Sequence, residues 1–269
     1  MNLLIDVGNT ETVVGVSRTG SDGIESSWRF TTSIRRTPDE LHLLLAGLLA
    51  RGGIEFESLD RAVIGSVVPR LTDTLSRSLS AAGIDPVFVV TTRTPLPIRL
   101  EVEEPRTVGP DRIVNTLAAT EIFGRDTLVV DLGTANTFDL ITGDGAFRGG
   151  VIAPGLGAGQ EWLSKRTAKL PTVEFRRPER VIGRRTESCL ESGIFFSAID
   201  AIDGIVRRMK MEWEGDPLHV VATGGYAGLV ARSSETIVEV VPHLTLYGLE
   251  IAGRHMAENG PDRLPSGSV

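Results

Sequence analysis

The stretch Leu4-Ile5-Asp6-Val7-Gly8-Asn9-Thr10-Glu11-Thr12-Val13 recurs as Val129-Val130-Asp131-Leu132-Gly133-Thr134-Ala135-Asn136-Thr137-Phe138. In each copy an apolar run of strand character ends in an acid. A glycine and small hydroxyl or amide residues follow, then apolar residues again, which is the pattern of a hairpin with a polar tip. Gly8 and Gly133 allow the backbone to approach a ligand closely. Hydroxyls and N–H groups at such a tip can donate to phosphate oxygens, and the acids can hold a metal ion. Asn, Gly and Asp are also ordinary turn residues, and either tip alone reads as a plain hairpin. An ordinary hairpin does not need an acid at the matching place in both halves, so the pair points to two phosphate-facing loops.

With 269 residues the chain has room for two ordinary domains, and the repeat favours that division. A hydrophobic content of 41% with 23% charged residues excludes disorder for most of the length. The formal charge of -7 leaves no general basic footprint for nucleic acid. Arg176, Arg177, Arg180, Arg184 and Arg185 form one local basic patch, read chiefly as a solvated segment with anion-binding capacity. Cys189 is the only cysteine, so no internal disulfide forms, and no Cys or His pair has zinc spacing. The apolar runs fall short of the roughly 20 residues of a membrane span. A protein of the reducing cytoplasm, without nucleic-acid or membrane partners, is the expectation.

The pattern along the chain gives three early strands, then a helix opened by Thr37-Pro38-Asp39-Glu40 and stopped by Gly52-Gly53. Strands over 61–67 and 87–90 bracket a helix over 71–82. A further helix over 111–123 ends at Gly124, and the second copy of the motif follows. Strands over 128–131, 137–142 and 149–152 repeat the meander, and helices over 157–165 and 187–213, a strand over 218–222 and a helix over 246–256 complete the half. The boundary is expected between residues 105 and 125, giving domains 1–115 and 116–257 with a frayed polar tail over 258–269.

Several motifs stand outside the repeat. Gly109-Pro110-Asp111-Arg112 opens a helix, where Asp is both an ordinary N-terminal residue and, next to the helix dipole, an ionised acceptor for a hydroxyl proton. Arg112 is suited to a carboxylate. Gly149-Gly150 with Pro154-Gly155 reads as a bend near the site, and Thr223-Gly224-Gly225 as a strand-to-helix turn with room for a nucleoside. Ile182-Gly183-Arg184-Arg185-Thr186 reads as a surface loop entering a helix capped by Thr186. The four histidines have no partners in the pattern and are assigned structural roles.

These motifs in this order, with Lys169-Leu170-Pro171 added, resemble the type III pantothenate kinase family from residue 3 to about 255. The resemblance implies an α/β fold of two duplicated ribonuclease H-like domains, with mixed sheets flanked by helices, in the actin-like ATPase superfamily. It implies ATP-dependent phosphorylation of pantothenate to 4'-phosphopantothenate, the first step of coenzyme A biosynthesis. By the same resemblance the loop Asp6, Val7, Gly8, Asn9, Thr10, Glu11, Thr12 and Val13 binds the ATP phosphates, with Asp6 helping to place Mg²⁺. Asp111 is the proton acceptor, and Gly109, Pro110, Asp111 and Arg112 line the pantothenate site. Asp131 is the ligand of a monovalent cation, K⁺ or NH₄⁺, and Thr134 touches ATP. Thr186 contacts pantothenate across a homodimer interface. The chain departs from the family pattern at Val102, Thr107 and Asn136, where a tyrosine, a glutamate and a threonine are frequent. Two other readings of the same fold are a non-catalytic accessory protein and a kinase for another hydroxylated small molecule. Phosphoryl transfer asks chiefly for positioning, charge neutralisation and a base. There is no G-x-x-x-x-G-K-[ST] loop, so neutralisation falls to loops and cations.

Overall fold

The computed structural model describes residues 1–18, 23–166 and 170–260. Lys169 and most of the expected polar tail lie outside them. Two compact units make up the chain. Unit 1 comprises Met1–Ile122, Gly145–Phe147 and the segment from His243 onward, and unit 2 comprises Phe123–Asp144 and Arg148–Pro242.

Unit 1 is built on five strands: β1 (Asn2–Val7), β2 (Glu11–Ser17), β3 (Ile24–Thr31), β4 (Arg61–Ser66) and β5 (Val87–Val90), in the order β3-β2-β1-β4-β5. The β1–β2 and β2–β3 pairs are antiparallel, and β1–β4 and β4–β5 are parallel. The order strand, strand, strand, helix, strand, helix, strand expected from sequence is the one observed. Side chains alternate across the sheet. Leu3, Ile5, Val7, Ala62 and Ile64 join Leu41 and Leu45 of α1 (Pro38–Arg51) and Leu71 and Leu75 of α2 (Pro69–Ala81) in one buried cluster. The opposite face meets α7 (Leu244–Asn259), which packs on β1 and β4. Both faces are therefore covered, and for that reason β1 and β4 read as unbroken apolar runs.

The start of α1 follows its sequence signal. Thr37 Oγ1 accepts from Glu40 N, and the Glu40 carboxylate accepts from Thr37 N at 2.7 Å, a reciprocal cap behind Pro38. α7 lies against α3 (Pro110–Phe123) through Gly248, where a Cβ would stand 2.1 Å from Val114 O. Only hydrogen fits there. A short strand β6 (Arg99–Leu100), not anticipated from the sequence, pairs in parallel with Ala146 and Phe147.

Unit 2 repeats the plan with β7 (Thr127–Leu132), β8 (Ala135–Ile141), β9 (Ala146–Pro154, continuing from its first residues in unit 1), β10 (His219–Thr223) and β11 (Glu239–Val240), ordered β9-β8-β7-β10-β11. β7–β8 is antiparallel, and β7–β10 and β10–β11 are parallel. Strand for strand this is the topology of unit 1, so the repeated motif marks a duplicated sheet. Leu128, Val130, Leu132 and Phe138 meet Phe195, Ile199, Ile202 and Val206 of the long helix α5 (Thr186–Glu212). α4 (Ala158–Arg166) and the short α6 (Ala227–Ala231) complete the unit. The start of α5 differs from expectation. Thr186 is the first helical residue rather than the cap; Arg185 is the cap, and Ser188 Oγ, three residues into the helix from it, accepts from Arg184 N and Arg185 N at 3.1 Å each. Among the described residues no helix is long and apolar enough to cross a membrane.

Candidate active site

In unit 1, Asp6 stands at the end of β1 with Val13 opposite on β2 and Gly65 beside it on β4. The tip closes through Gly8 N donating to Glu11 O at 3.0 Å, and a Cβ on Gly8 would lie 2.9 Å from that oxygen. Thr32 braces it from behind: its Oγ1 donates to Gly8 O at 2.7 Å and lies 2.9 Å from Thr12 Oγ1, while its N–H donates to Thr10 O. The loop is thereby preorganised, and Asn9, Thr10 and Glu11 remain exposed at its crest. Val7 and Thr12 are fully buried, so they have only backbone to offer a phosphate. Nothing in the sequence pattern singled out Thr32, because it acts through contacts outside its own segment.

Asp111 lies in the first turn of α3, immediately after Pro110. Gly109 O accepts from Ile113 N at 3.1 Å and starts the helix. A Cβ on Gly109 would stand 2.3 Å from Asp111 Oδ1 and 3.7 Å from Val67 Cγ1. Val67 in turn donates its N–H to Val7 O at 3.1 Å, linking the Asp111 turn to the strand that carries Asp6. Asp111 Oδ1 is buried and accepts no hydrogen bond among the described residues. A buried carboxylate oxygen without a donor is costly, and such atoms are concentrated where a ligand completes the set. Arg112 is held with its guanidinium 4.9 Å from the centre of the buried Phe147 ring.

In unit 2, Asp131 ends β7 with Thr137 opposite and Thr223 beside it on β10. Gly133 N donates to Ala135 O at 3.2 Å, so this tip is tighter than the first. Two glycines seal against it. A Cβ on Gly155 would be 2.2 Å from Thr134 O and 2.6 Å from Gly133 O, and Asn136 Nδ2 donates to Pro154 O at 3.1 Å. Gly224 has φ +91° and a missing Cβ whose position lies 2.6 Å from Leu132 O and 2.7 Å from Asp131 Oδ1. Only a residue without a side chain can pack this closely against the Asp131 carboxylate and the Leu132 carbonyl. The Pro154-Gly155 and Thr223-Gly224 turns are parts of the Asp131 loop assembly, which their ambiguous sequence signals did not decide. Asp139, also passed over in the sequence, is fully buried on β8 and accepts from Thr137 Oγ1 at 3.3 Å. Thr186 is exposed at the start of α5.

No group of three or more His, Cys, Asp or Glu side chains able to hold a metal occurs among the described residues.

The sequence profile of the type III pantothenate kinase family matches residues 2–208. The type III pantothenate kinase of Moorella thermoacetica is 42% identical over 253 residues, covering 93% of this chain and 98% of that protein. The type III pantothenate kinase of Syntrophotalea carbinolica is 43% identical over 253 residues, covering 93% and 97%. Among solved structures, the activator of 2-hydroxyisocaproyl-CoA dehydratase from Clostridium difficile with bound ADPNP superposes with a TM-score of 0.55. It is 12% identical and covers 100% of this chain and 99% of its own, a likeness of fold.

Proposed function

The chain belongs to the type III pantothenate kinase family, and we propose from that premise that it transfers the γ-phosphoryl group of ATP to the terminal hydroxyl of pantothenate, giving 4'-phosphopantothenate and ADP. The observation that carries the chemical assignment is the buried, donor-free Oδ1 of Asp111 at the start of α3. As the hydroxyl oxygen bonds to the γ-phosphorus and the bond to the ADP oxygen breaks, the hydroxyl proton passes to the Asp111 carboxylate. The carboxylate stands in the first turn of α3, where it can accept that proton. Gly109 and Pro110 shape the turn, and Arg112 is the group for the pantothenate carboxylate.

The ATP phosphates are assigned to the Asp6–Val13 loop, through backbone N–H groups and the exposed Asn9 and Thr10, and to Thr134. Asp6 is the residue for Mg²⁺, which when bound neutralises phosphate charge. Asp131 is the residue for a monovalent cation, K⁺ or NH₄⁺; its place near the end of β7, at the polar tip closed by Gly133 N and Ala135 O, supports this. A homodimer in which Thr186 reaches the partner's pantothenate is supported by its exposure and by the apolar hollow of about 570 Å³ between α4 and α5, lined by Trp162, Leu190 and Ile194. The compartment that fits this metabolic role is the cytoplasm. Domains 1–115 and 116–257 are the proposed halves of the repeat; the compact units divide differently, with α7 in unit 1.

The test is ADP release coupled to a spectrophotometric readout, with ATP and Mg²⁺, with and without pantothenate, and with Na⁺ exchanged for K⁺. Pantothenate-dependent turnover that rises with K⁺ is expected. ADP release indifferent to pantothenate would remove the substrate assignment, and equal rates in Na⁺ and K⁺ would remove the cation from Asp131.

A further inference from the structure

The segment before α5 carries Arg176, Arg177, Arg180 and Arg184 into a single hollow of about 450 Å³, where the acids are Glu179 and Glu191. Only one of these arginines is neutralised: Arg176 donates through Nε and Nη2 to Glu191 Oε1 at 2.9 and 2.6 Å. The guanidinium groups of Arg177, Arg180 and Arg184 have no ion pair among the described residues. Three cations without an ion pair gathered in one hollow repel one another, and Glu179 is the one acid of the lining not engaged by Arg176.

The backbone that bears them is pinned. Ser192 Oγ donates to Val181 O at 2.5 Å, and Ser188 Oγ accepts from Arg184 N and Arg185 N. Gly183 packs so closely on the first turn of α5 that a Cβ would stand 2.5 Å from Cys189 N and 2.6 Å from Ser188 C. The Arg176–Glu191 pair adds a further tie across 15 residues. The backbone of this segment, without regular secondary structure, is thus tied at four places, which lowers the cost of ordering the three arginine side chains around a ligand.

We propose that this hollow is a binding site for a small phosphate-bearing anion, formed within unit 2 by Arg177, Arg180 and Arg184. Guanidinium forks match phosphate oxygens in geometry and charge, and three of them suit a group with more than one negative charge. The lining contains no aromatic side chain on which a nucleobase would stack, and the hollow has the volume of a small-molecule site rather than a helix groove. The ligand is therefore recognised through its phosphates. Arg177, Arg180 and Arg184 carry no role assigned in the kinase reaction, and Arg184 stands two residues before Thr186.

Inorganic pyrophosphate is the probe. The whole protein is loaded with Mg²⁺ and a non-hydrolysable ATP analogue, desalted, and titrated by calorimetry at low ionic strength. One further site is expected. The variant Arg177→Gln/Arg180→Gln/Arg184→Gln is expected to bind about a thousandfold more weakly, each of the three lost charged contacts being worth about a tenfold step. The variant Arg51→Gln/Arg70→Gln/Arg77→Gln removes the same charge from exposed positions of unit 1 and is expected to leave the affinity unchanged. Equal weakening in both variants, or no binding by the unmodified protein, overturns the proposal. Tighter binding of citrate than of pyrophosphate overturns the phosphate assignment. If the ATP analogue itself fails to bind, the kinase reading fails, and the pyrophosphate titration is read without it.

Discussion

Gly109 lies directly over the carboxylate of Asp111, so close that a Cβ at residue 109 would stand 2.3 Å from Asp111 Oδ1. The contact is with the end of a side chain rather than with backbone, so an added methyl is relieved by rotating Asp111 rather than by distorting α3. Gly109→Ala is therefore expected to fold normally and to lose turnover by about 100-fold, the scale of an ångström-sized misplacement of a reacting group. Steady-state kinetics beside a thermal melt checks this; unchanged kcat would show that the carboxylate does not need its present position.

Asp111→Asn keeps the shape and removes the base. A loss of about 10²- to 10⁴-fold in kcat is expected, with ATP-analogue affinity retained. Turnover near that of the unmodified enzyme would take Asp111 out of the proton-acceptor role.

At Gly155 the obstacle is backbone, with Thr134 O 2.2 Å and Gly133 O 2.6 Å from the absent Cβ. Gly155→Ala must displace the second tip itself. A loss of about 1–3 kcal/mol in stability is expected, together with a rise in KM for ATP larger than that for pantothenate. Urea unfolding and substrate titrations measure the two effects, and an unaltered KM for ATP would separate this tip from nucleotide binding.

Glu250 of α7 is buried beneath the first sheet, accepting from Asn2 Nδ2 at 3.0 Å and Ser17 Oγ at 2.6 Å, with Arg61 Nη2 at 3.6 Å. Removing the acid leaves Arg61 buried without its counter-charge. Glu250→Ala is expected to destabilise the protein by about 3–5 kcal/mol. Chemical denaturation of the single variant beside Arg61→Leu/Glu250→Leu tests the pairing; a double variant no more stable than Glu250→Ala would argue against it.

Asp203 of α5 is a pH-dependent clamp on residues 234–236. Burial alone would raise its pKa, but bonds from Glu235 N, Ser234 Oγ, Thr236 Oγ1 and Thr236 N outweigh that and lower it from 3.8. Between the lowered value and 3.8 the folded form binds fewer protons than the unfolded one. The contribution is thus present above about 3.8 and is lost as the pH falls through the folded value. Asp203→Asn is expected to lower stability at neutral pH and to flatten the acid limb of the stability profile. An acid limb of unchanged slope would place the titration elsewhere.

The repeated tips and the duplicated sheets were legible because they rest on local pattern: apolar runs, a terminal acid, and glycine where the backbone turns. The Thr37–Glu40 cap was legible for the same reason. Thr32, Asp139 and Gly248 were not, since a threonine after a strand, an acid within a strand and a glycine within a helix carry no signal until their neighbours are known. Thr186 was misjudged as a cap because the helix begins one residue earlier than its pattern suggests: Cys189 N already donates to Arg185 O, which makes Arg185 the cap position.

By itself the amino-acid sequence determined the succession of strands and helices in the first half, the two acid-glycine tips and the family, all of which follow from residue types at fixed spacing along the chain. Tertiary structure alone decided that Gly109, Gly155 and Gly224 are empty spaces kept against Asp111, Thr134 and Asp131. It also decided that three arginines converge on one hollow, and that α7, last in the chain, packs on β1, which is first. Such relationships depend on distances between segments remote in sequence, and close packing sets those distances only once both faces of a sheet are covered.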